Sequence, residues 1–434
     1  MRHMSFPFSP AYPAAVLLYG MIFALAAANF VGLPWSQPMT IALYLAPFVW
    51  AFTLAWRNRL NVLPITTLDV LFVSFVLAVS ASLVFQGGLQ SGGWKYARYL
   101  PFMVIVPYLC GRLMRVQDME LFSRIVMYAG LVILPLLLLD HMVSPDGVGL
   151  RGTFFGQNYG ALLVGALLAP ALLAICVRGA APFNSDSGFK SRLIHYGLIG
   201  LITGFLVWVS ARGWLAATIA GLVVLVLSAY RNSGSRAAYS RKLLFVAAVM
   251  LLSLAVLPRS TGQLYAMLLT APPQMAGTTQ VAGPILGEES CRPFKEGLNS
   301  VAMRWVLYRE AVAIFAEHPL YGIGATKFGE RSCTGPGWYP HSTILQAFSE
   351  LGLVGASLLL GLLFLAALTL IRRCVSAKRY LCAPAYSFTL ALFGAFFVAD
   401  QIYGNYFMSI GIYLMLGLAA GILADEKRGS SAHV

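Results

Sequence analysis

The chain of 434 residues is 59% hydrophobic and 11% charged, whereas soluble domains contain about 45–50% apolar and about 25% charged residues. This composition excludes an ordinary soluble protein and is typical of a polytopic membrane protein. The formal net charge of +14 would suggest a nucleic-acid partner in a soluble protein, but in membrane proteins positive residues accumulate on the cytoplasmic side. We therefore expect membrane lipids around the chain and no nucleic-acid partner.

Hydropathy predicts about twelve transmembrane helices in one integral membrane domain over residues 1–434. Each apolar run is long enough to cross a hydrocarbon core of about 30 Å at about 1.5 Å per residue. The predicted spans are 13–32, 38–56, 66–85, 98–114, 121–140, 158–177, 192–210, 213–229, 242–257, 342–371, 381–399 and 402–424. Repeated spans predict an all-α bundle and not a barrel. No small-x-small cleavage site precedes the first span, so we expect that helix to be retained.

The distribution of Lys and Arg predicts the orientation of these helices. If the N-terminus is cytoplasmic, most basic residues fall in the inner segments. The short outer loops then contain only Lys95, Arg98, Arg151 and Arg212. Because Lys and Arg accumulate in short cytoplasmic loops, this asymmetry predicts that both termini are cytoplasmic.

The longest hydrophilic segment, 258–341, lies between predicted spans nine and ten and is therefore on the outer side. Within it, Ser300 to Glu317 is predicted to form an amphipathic helix that ends before Pro319. The apolar residues with helical spacing are Val301, Trp305, Tyr308, Ala311, Val312 and Phe315. We expect this helix to lie near the membrane interface.

Two of the six cysteines, Cys291 and Cys333, fall in this outer segment. The other four lie in predicted spans or on the cytoplasmic side. The pair predicts a structural disulfide in an oxidising compartment, with two free thiols as the alternative.

Four side chains on the predicted outer face suit an anionic lipid carrier: Arg151, Arg212, Arg304 and His341. Arginine presents a planar fork of donors that fits phosphate, and the starts of inward-running helices add positive dipole ends. For each arginine taken singly, the alternative is a side chain that extends to water or lipid phosphate. Arg212 is held in the tight turn SARGW, where a charge at the membrane boundary needs a partner.

His341 begins the tenth predicted span, and its ordinary pKa near 6.5 allows it to accept a proton at neutral pH. It is therefore a candidate general base, with a hydrogen-bonded histidine at a helix start as the alternative. Gln346 and Glu350 either pack into the bundle or orient the His341 end. Lys95 and Arg98 are secondary candidates, for which extension to the interface is the first interpretation. No Asp-x-Asp, His-x-x-x-His or outer Cys/His cluster occurs, so we expect neither metal nor cofactor.

Four strings resemble, in order, motifs of the O-antigen ligase and Wzy polymerase superfamily. RGTFFGQNYGA, with Arg151 and Asn158, is similar to G-[TS]-F-x-x-x-N. SARGW resembles S-R-[GA]-x-[WL], with Ala211 inserted before Arg212. RWVLYREAVAIFAEHPLYGIG, from Arg304, is similar to R-x-x-x-[WY]-x-x-A followed by H-P-[LF]-x-G-[IV]-G. HSTILQAFSELGLVG resembles H-[NS]-x-x-L-Q-x-x-x-E-x-G-x-x-G. The resemblance covers the C-terminal two-thirds, and the first 150 residues match only in hydropathy.

The resemblance implies an enzyme of lipopolysaccharide biosynthesis in the bacterial inner membrane. Such an enzyme moves a glycan from undecaprenyl diphosphate on the periplasmic face, without metal or nucleotide sugar, either to the lipid A-core sugars (ligase) or to another repeat unit (polymerase). Direct attack predicts inversion. In that family the residues matching Arg212, Arg304 and His341 are the functional ones.

Two alternatives stay open at this point. A Wzy-type polymerase adds the glycan to another repeat unit, but one dominant outer loop favours a ligase. A transporter moves lipid-linked glycan without forming a bond, but the internal repeats or broken helices typical of transporters are not visible in the sequence.

Overall fold

The computed structural model describes residues 9–20, 46–47, 49–50, 52–53, 64–86, 94–143, 160–178, 189–208, 212–228, 233–256, 285, 300–333, 339–376 and 383–431. The α-helices are α1 Ala11–Ala15, α2 Thr67–Phe85, α3 Trp94–Tyr99, α4 Val106–Leu113, α5 Val116–Val143, α6 Gly160–Arg178, α7 Phe189–Trp208, α8 Arg212–Ser228, α9 Ser233–Val256, α10 Ser300–Glu317, α11 Thr343–Ser376, α12 Ala383–Tyr403 and α13 Ile410–Ser431. Short π-helical segments cover Val16–Gly20 and Leu100–Ile105, and a 3-10 turn covers Phe328–Arg331.

Several of these helices are apolar enough for a membrane environment. Within the described ranges, three are long enough to span a bilayer: Thr67–Phe85, Thr343–Ser376 and Pro384–Tyr403. Shorter apolar helices are Gly165–Val177, Leu193–Trp208 and Gly213–Ser228. The predicted all-helical membrane fold is confirmed in this coarse form. The number of twelve spans, the division of the chain and the outer position of 258–341 stay predictions.

The core of the bundle is built by helices that pack along much of their length, chiefly α8 with α12, α4 with α13 and α2 with α11. Small residues permit the closest of these contacts. A Cβ atom added to Gly417 of α13 would lie 1.9 Å from the carbonyl oxygen of Tyr108 in α4. Close backbone approach through small residues is a common way of packing helices in membranes.

The helix α11 is interrupted at Gly352, which has φ 64° and ψ −161°. The loop 318–324, which precedes α11 in the chain, supplies hydrogen bonds at this break. The amides of Leu353 and Val354 donate to the carbonyl oxygens of Pro319 (2.7 Å) and Leu320 (3.2 Å), and the amides of Ile323 and Gly324 donate to those of Ser349 (3.1 Å) and Glu350 (2.9 Å). Two of the sequence motifs are therefore joined through their backbones.

Two glycines make this junction possible. Gly322 (φ 66°) and Gly352 both lie in the left-handed region that L side chains rarely adopt. A Cβ on Gly322 would lie 2.3 Å from the carbonyl carbon of Glu350, and one on Gly352 would lie 2.5 Å from the carbonyl group of Leu320. Any other residue at either position would therefore separate the loop from the helix.

The predicted helix over Ser300–Glu317 is confirmed with the same bounds. The buried residues are Val306, Leu307, Glu310, Ala311 and Ile314. Among the apolar residues with helical spacing, Trp305 and Val312 are 49% and 56% exposed, so only part of that set packs against the described protein. The position of this helix near the membrane interface stays a prediction.

Candidate functional site

Two regions singled out in the sequence, the start of α8 and the start of α11, meet the end of α12 at one end of the bundle. We call it the site end. Three hydrogen bonds join these helices: Ser342 Oγ to Gln401 Oε1 (2.9 Å), Thr343 Oγ1 to the Asp400 carbonyl oxygen (3.3 Å), and the Gly213 amide to the Tyr403 hydroxyl (3.0 Å). Two of the sequence motifs thus contact the same four residues of α12.

Arg304 reaches the site end from α10. Its guanidinium carbon lies 5.1 Å from the ring centroid of Tyr403, which is a cation–π contact. One turn later, the hydroxyl of Tyr308 donates to the carbonyl oxygen of Gln401 at 2.9 Å. These two contacts hold α10 against the end of α12. Burial raises the pKa of Tyr308, and the charge of Arg304 opposes that rise.

Arg212 is the first residue of α8, and its side chain lies outside the part that the structure describes. The next residue, Gly213, donates its amide to the hydroxyl of Tyr403. The backbone at Arg212 and the guanidinium of Arg304 therefore adjoin the same tyrosine. The binding of one anion by both arginines stays a prediction.

His341 lies directly before α11, and its φ of 58° puts a non-glycine residue in the left-handed region. Such a conformation costs about 1–3 kcal/mol and occurs most often at functional sites, although His tolerates it better than most residues. The imidazole packs against Tyr339, with ring centroids 4.7 Å apart. Burial and the charge of Arg304 lower the pKa of His341 to about 4. The imidazole is therefore neutral at pH 7 and able to accept a proton.

Gln346 and Glu350 are buried in the first part of α11. The Glu350 carboxylate accepts from the Gln346 side chain (3.1 Å), the Phe328 amide (3.2 Å) and the Tyr406 hydroxyl (2.6 Å). Gln346 Oε1 also accepts from the Tyr406 amide at 3.2 Å. Both side chains are buried and hydrogen-bonded within the bundle, which favours the packing interpretation. Glu350 fixes the loop before α11 to the helix that begins after His341.

The remaining predicted site residues are less well placed or lie outside the described residues. Arg98 on α3 is exposed, and its Nε donates to the Trp94 carbonyl oxygen at 3.3 Å, so its contacts do not bring it to Arg304. Arg151, Asn158 and the side chain of Lys95 fall outside the description. For these residues the binding roles stay predictions.

Cys333 is disulfide-bonded, and its partner is outside the described residues. The predicted pairing with Cys291 therefore stays a prediction. The amide of Cys333 donates to Glu310 Oε1 at 3.0 Å. Glu310 is fully buried on α10, and burial raises its pKa to about 7 against the effect of that hydrogen bond. No sequence pattern indicates a buried carboxyl group at this position.

Residues 400–403 at the end of α12 were not singled out in the sequence. They contact the start of α8, the start of α11 and Arg304 on α10. Asp400 has a carboxylate oxygen, Oδ2, that is buried without a hydrogen-bond partner among the described residues. The only local signal is a polar run, DQIY, between two apolar spans. Across the described ranges, no group of three or more His, Cys, Asp and Glu could hold a metal ion. A reaction without metal or cofactor stays a prediction.

The fold and this site define a helical membrane protein with a cationic group, a neutral histidine and a helix start at one end of its bundle. Residues 196–360 match the family model described as O-antigen ligase. The matched segment contains the start of α8, Arg304 and His341, so over these residues the family model agrees with the resemblance of three of the four motifs. The motif with Arg151 and Asn158 and the end of α12 lie outside it. No curated protein matches the chain.

Proposed function

We propose that this protein is an O-antigen ligase, a metal-independent inverting glycosyltransferase. It moves O-antigen polysaccharide from undecaprenyl diphosphate to the lipid A-core oligosaccharide on the periplasmic face of the bacterial inner membrane, with both termini in the cytoplasm. One observation carries the proposal: within the segment that matches the family, Arg304, the start of α8 and the His341 segment all adjoin the end of α12.

In this proposal the arginines hold the donor diphosphate. Arg304 is already oriented by the ring of Tyr403, and Arg212 begins α8, whose amino terminus adds a positive dipole end. A guanidinium fork matches the oxygens of a phosphate group better than an ammonium ion does. Arg151 is the third candidate from the sequence. Two or three fixed cations would stabilise the negative charge that grows on the diphosphate as it leaves.

His341 takes the proton from the acceptor. The acceptor hydroxyl oxygen attacks the anomeric carbon, the bond from that carbon to the diphosphate oxygen breaks, and undecaprenyl diphosphate leaves with the bonding electrons. The hydroxyl proton passes to the neutral imidazole. Attack from the side opposite the diphosphate inverts the anomeric configuration.

Donor binding would also make His341 a stronger base. The charge of Arg304 contributes to the low pKa of His341 in the empty site. A diphosphate bound to Arg304 would compensate that charge and raise the pKa of the imidazole. Because a general base works best when its pKa is near the working pH, the donor prepares the site for the proton transfer.

The decisive experiment is lipid analysis of a strain that lacks this protein, complemented with the wild-type chain or with the Arg304→Ala variant. A ligase predicts uncapped lipid A-core together with accumulated long lipid-linked polymer. Single lipid-linked repeat units would instead identify a polymerase. If the lipid-linked donor accumulates on the cytoplasmic side, while donor that crosses the membrane is still transferred normally, the protein is a transporter. Either of the last two outcomes would overturn the proposal.

A further inference from the structure

Tyr403 is the last residue of α12, and it contacts two of the predicted functional regions with different parts of its side chain. The face of its ring lies under the Arg304 guanidinium, with 5.1 Å between the guanidinium carbon and the ring centroid. Its hydroxyl oxygen accepts the Gly213 amide at 3.0 Å. One side chain therefore sets the distance between Arg304 on α10 and the start of α8.

The fit between Tyr403 and α8 is close. A Cβ atom at Gly213 would lie 2.2 Å from Cε2 of the Tyr403 ring and 2.7 Å from its hydroxyl oxygen. Glycine is therefore required if the ring is to lie against the first turn of the helix. The small residue after Arg212 in the SARGW motif has a physical reason, because it admits this tyrosine.

The hydroxyl proton of Tyr403 is available for a further bond. A phenol can accept and donate at once, and here the oxygen accepts from Gly213. Among the described residues, the hydroxyl of Tyr403 donates to no acceptor. The side chain is also only partly buried. Accepting one hydrogen bond strengthens a hydroxyl as a donor, so this proton suits a negatively charged oxygen.

We propose that Tyr403 is a third member of the anion-binding site: its hydroxyl donates to an oxygen of the donor's diphosphate, while its ring positions Arg304. The proposal rests on the proposed function and adds a residue outside the segment that matches the family. Tyr403 is a binding and positioning residue, and it takes no part in the proton transfer.

The test is binding of inorganic pyrophosphate to the full-length purified protein, measured by titration calorimetry. Tyr403→Phe keeps the ring and removes only the hydroxyl, so we expect about tenfold weaker affinity, since a hydrogen bond to a charged group contributes at least that much. Tyr403→Leu also removes the cation–π contact and should bind more weakly still. Tyr321→Phe, at a tyrosine that is 66% exposed on the loop before α11, is the matched control and should bind as the wild type does.

A second change tests the positioning by a different route. Gly213→Ala keeps the tyrosine with its hydroxyl group but displaces the whole side chain from α8, so its pyrophosphate affinity should also fall. In a reconstituted transfer assay, Tyr403→Phe should raise the KM for the lipid-linked donor more than it lowers kcat. A KM that stays the same would show that the hydroxyl has only a structural role.

Arg304→Ala separates failure of this inference from failure of the proposed function. If Arg304→Ala loses affinity for pyrophosphate while Tyr403→Phe and Gly213→Ala bind normally, the role of Tyr403 is wrong and the diphosphate site stands. If Arg304→Ala also binds normally, the proposed donor site itself is wrong.

Discussion

The site end and the surface formed by α7 and α9 both lie largely within the segment that matches the family, but glycine has opposite roles in them. At the site end, a Cβ on Gly213 would lie 2.2 Å from a neighbouring atom, and at the break in α11 a Cβ on Gly322 or Gly352 would lie 2.3–2.5 Å from one. On α7, a Cβ on Gly197 meets no described atom within 4 Å, and one on Gly204 lies 3.8 Å from Ser253 Oγ. Close contact at a glycine therefore distinguishes a built junction from an open surface.

The α7 and α9 surface is an apolar groove of about 730 Å³, lined by residues that include Tyr196, Leu201, Phe205, Trp208 and Phe245. Its side chains pack through interchangeable apolar contacts. The site end and the break in α11 instead depend on hydrogen bonds that join the backbone of one segment to the backbone or side chains of another. We expect single substitutions to have large effects at the site end and small effects on the groove.

The largest expected effect is on His341. A positioned base contributes about 10²–10⁴-fold, so His341→Ala should lose at least that much initial rate in a reconstituted assay. His341→Gln keeps a hydrogen-bond donor but cannot take up the proton, and should be as slow. Leu201→Ala, on the groove, is the control and should keep the wild-type rate. A wild-type-like rate for His341→Gln would show that His341 only orients the acceptor. Asp400→Asn would then test whether the buried Asp400 carboxylate is the base.

Arg304 comes next. Hydrogen bonds to charged groups contribute about 1.5–3 kcal/mol each, so Arg304→Ala should reduce donor-dependent activity by about 10- to 150-fold at limiting donor. Arg304→Lys should recover only part of it, because an ammonium ion cannot make the guanidinium fork. Arg309→Ala on the same helix is the matched control. Normal turnover in Arg304→Ala would remove this residue from the donor site.

A third effect is on stability. Gly352→Ala puts an L side chain in a conformation that is nearly restricted to glycine, which costs about 1–3 kcal/mol, and adds the contact with the Leu320 carbonyl group. Gly361→Ala in the same helix is the control, since its Cβ would meet only Leu71 at 3.7 Å. The thermal midpoint in detergent should fall for the first variant and not for the second. Equal midpoints would contradict the junction described at the break.

A change of pH within the neutral range should have a smaller effect on activity than these substitutions. In the proposed function His341 acts in its unprotonated form, and burial and the charge of Arg304 lower its pKa to about 4. Activity is therefore retained as the pH falls from 7 to 5 and is lost only near pH 4 in kcat/KM, which reports the free enzyme. In kcat the loss should occur at higher pH, because bound donor compensates Arg304. A kcat/KM profile that falls near pH 6.5 would rule out this environment for the base.

The smallest effect is expected in the groove. Gly204→Ala and Gly197→Ala should leave the transfer rate unchanged and stabilise the protein by at most about 1 kcal/mol, because Ala is the better helix former. Both rate and thermal midpoint check this. A marked loss of activity in either variant would mean that the groove has a function that its open packing does not reveal.

Helix positions could be predicted from the sequence because apolar runs have a local signal. The prediction 66–85 corresponds to Thr67–Phe85, and the loop helix has the predicted bounds. The break at Gly352 could not be predicted, since a glycine inside an apolar run is compatible with a continuous helix. Its cause lies in the loop 318–324, which supplies partners from outside the helix.

The candidate site could be predicted in part because motifs are local. Motif spacing singled out Arg304 and His341, but Tyr403 is separated from Gly213 by 190 positions and has no motif of its own. Apolar spacing did not indicate that Trp305 and Val312 are exposed while Glu310 is buried, because burial depends on contacts with distant segments.

The break in α11 also has a consequence for the order of assembly during membrane insertion. Leu353 and Val354 lack carbonyl partners within their own helix, and unpaired backbone groups in an apolar layer are costly. The helix is therefore complete only after the loop 318–324 docks. Because that loop is synthesised before α11, it is available when the helix enters the bilayer. His341 lies in the chain between this loop and the break, so we expect its segment to reach its final position only after the loop has docked.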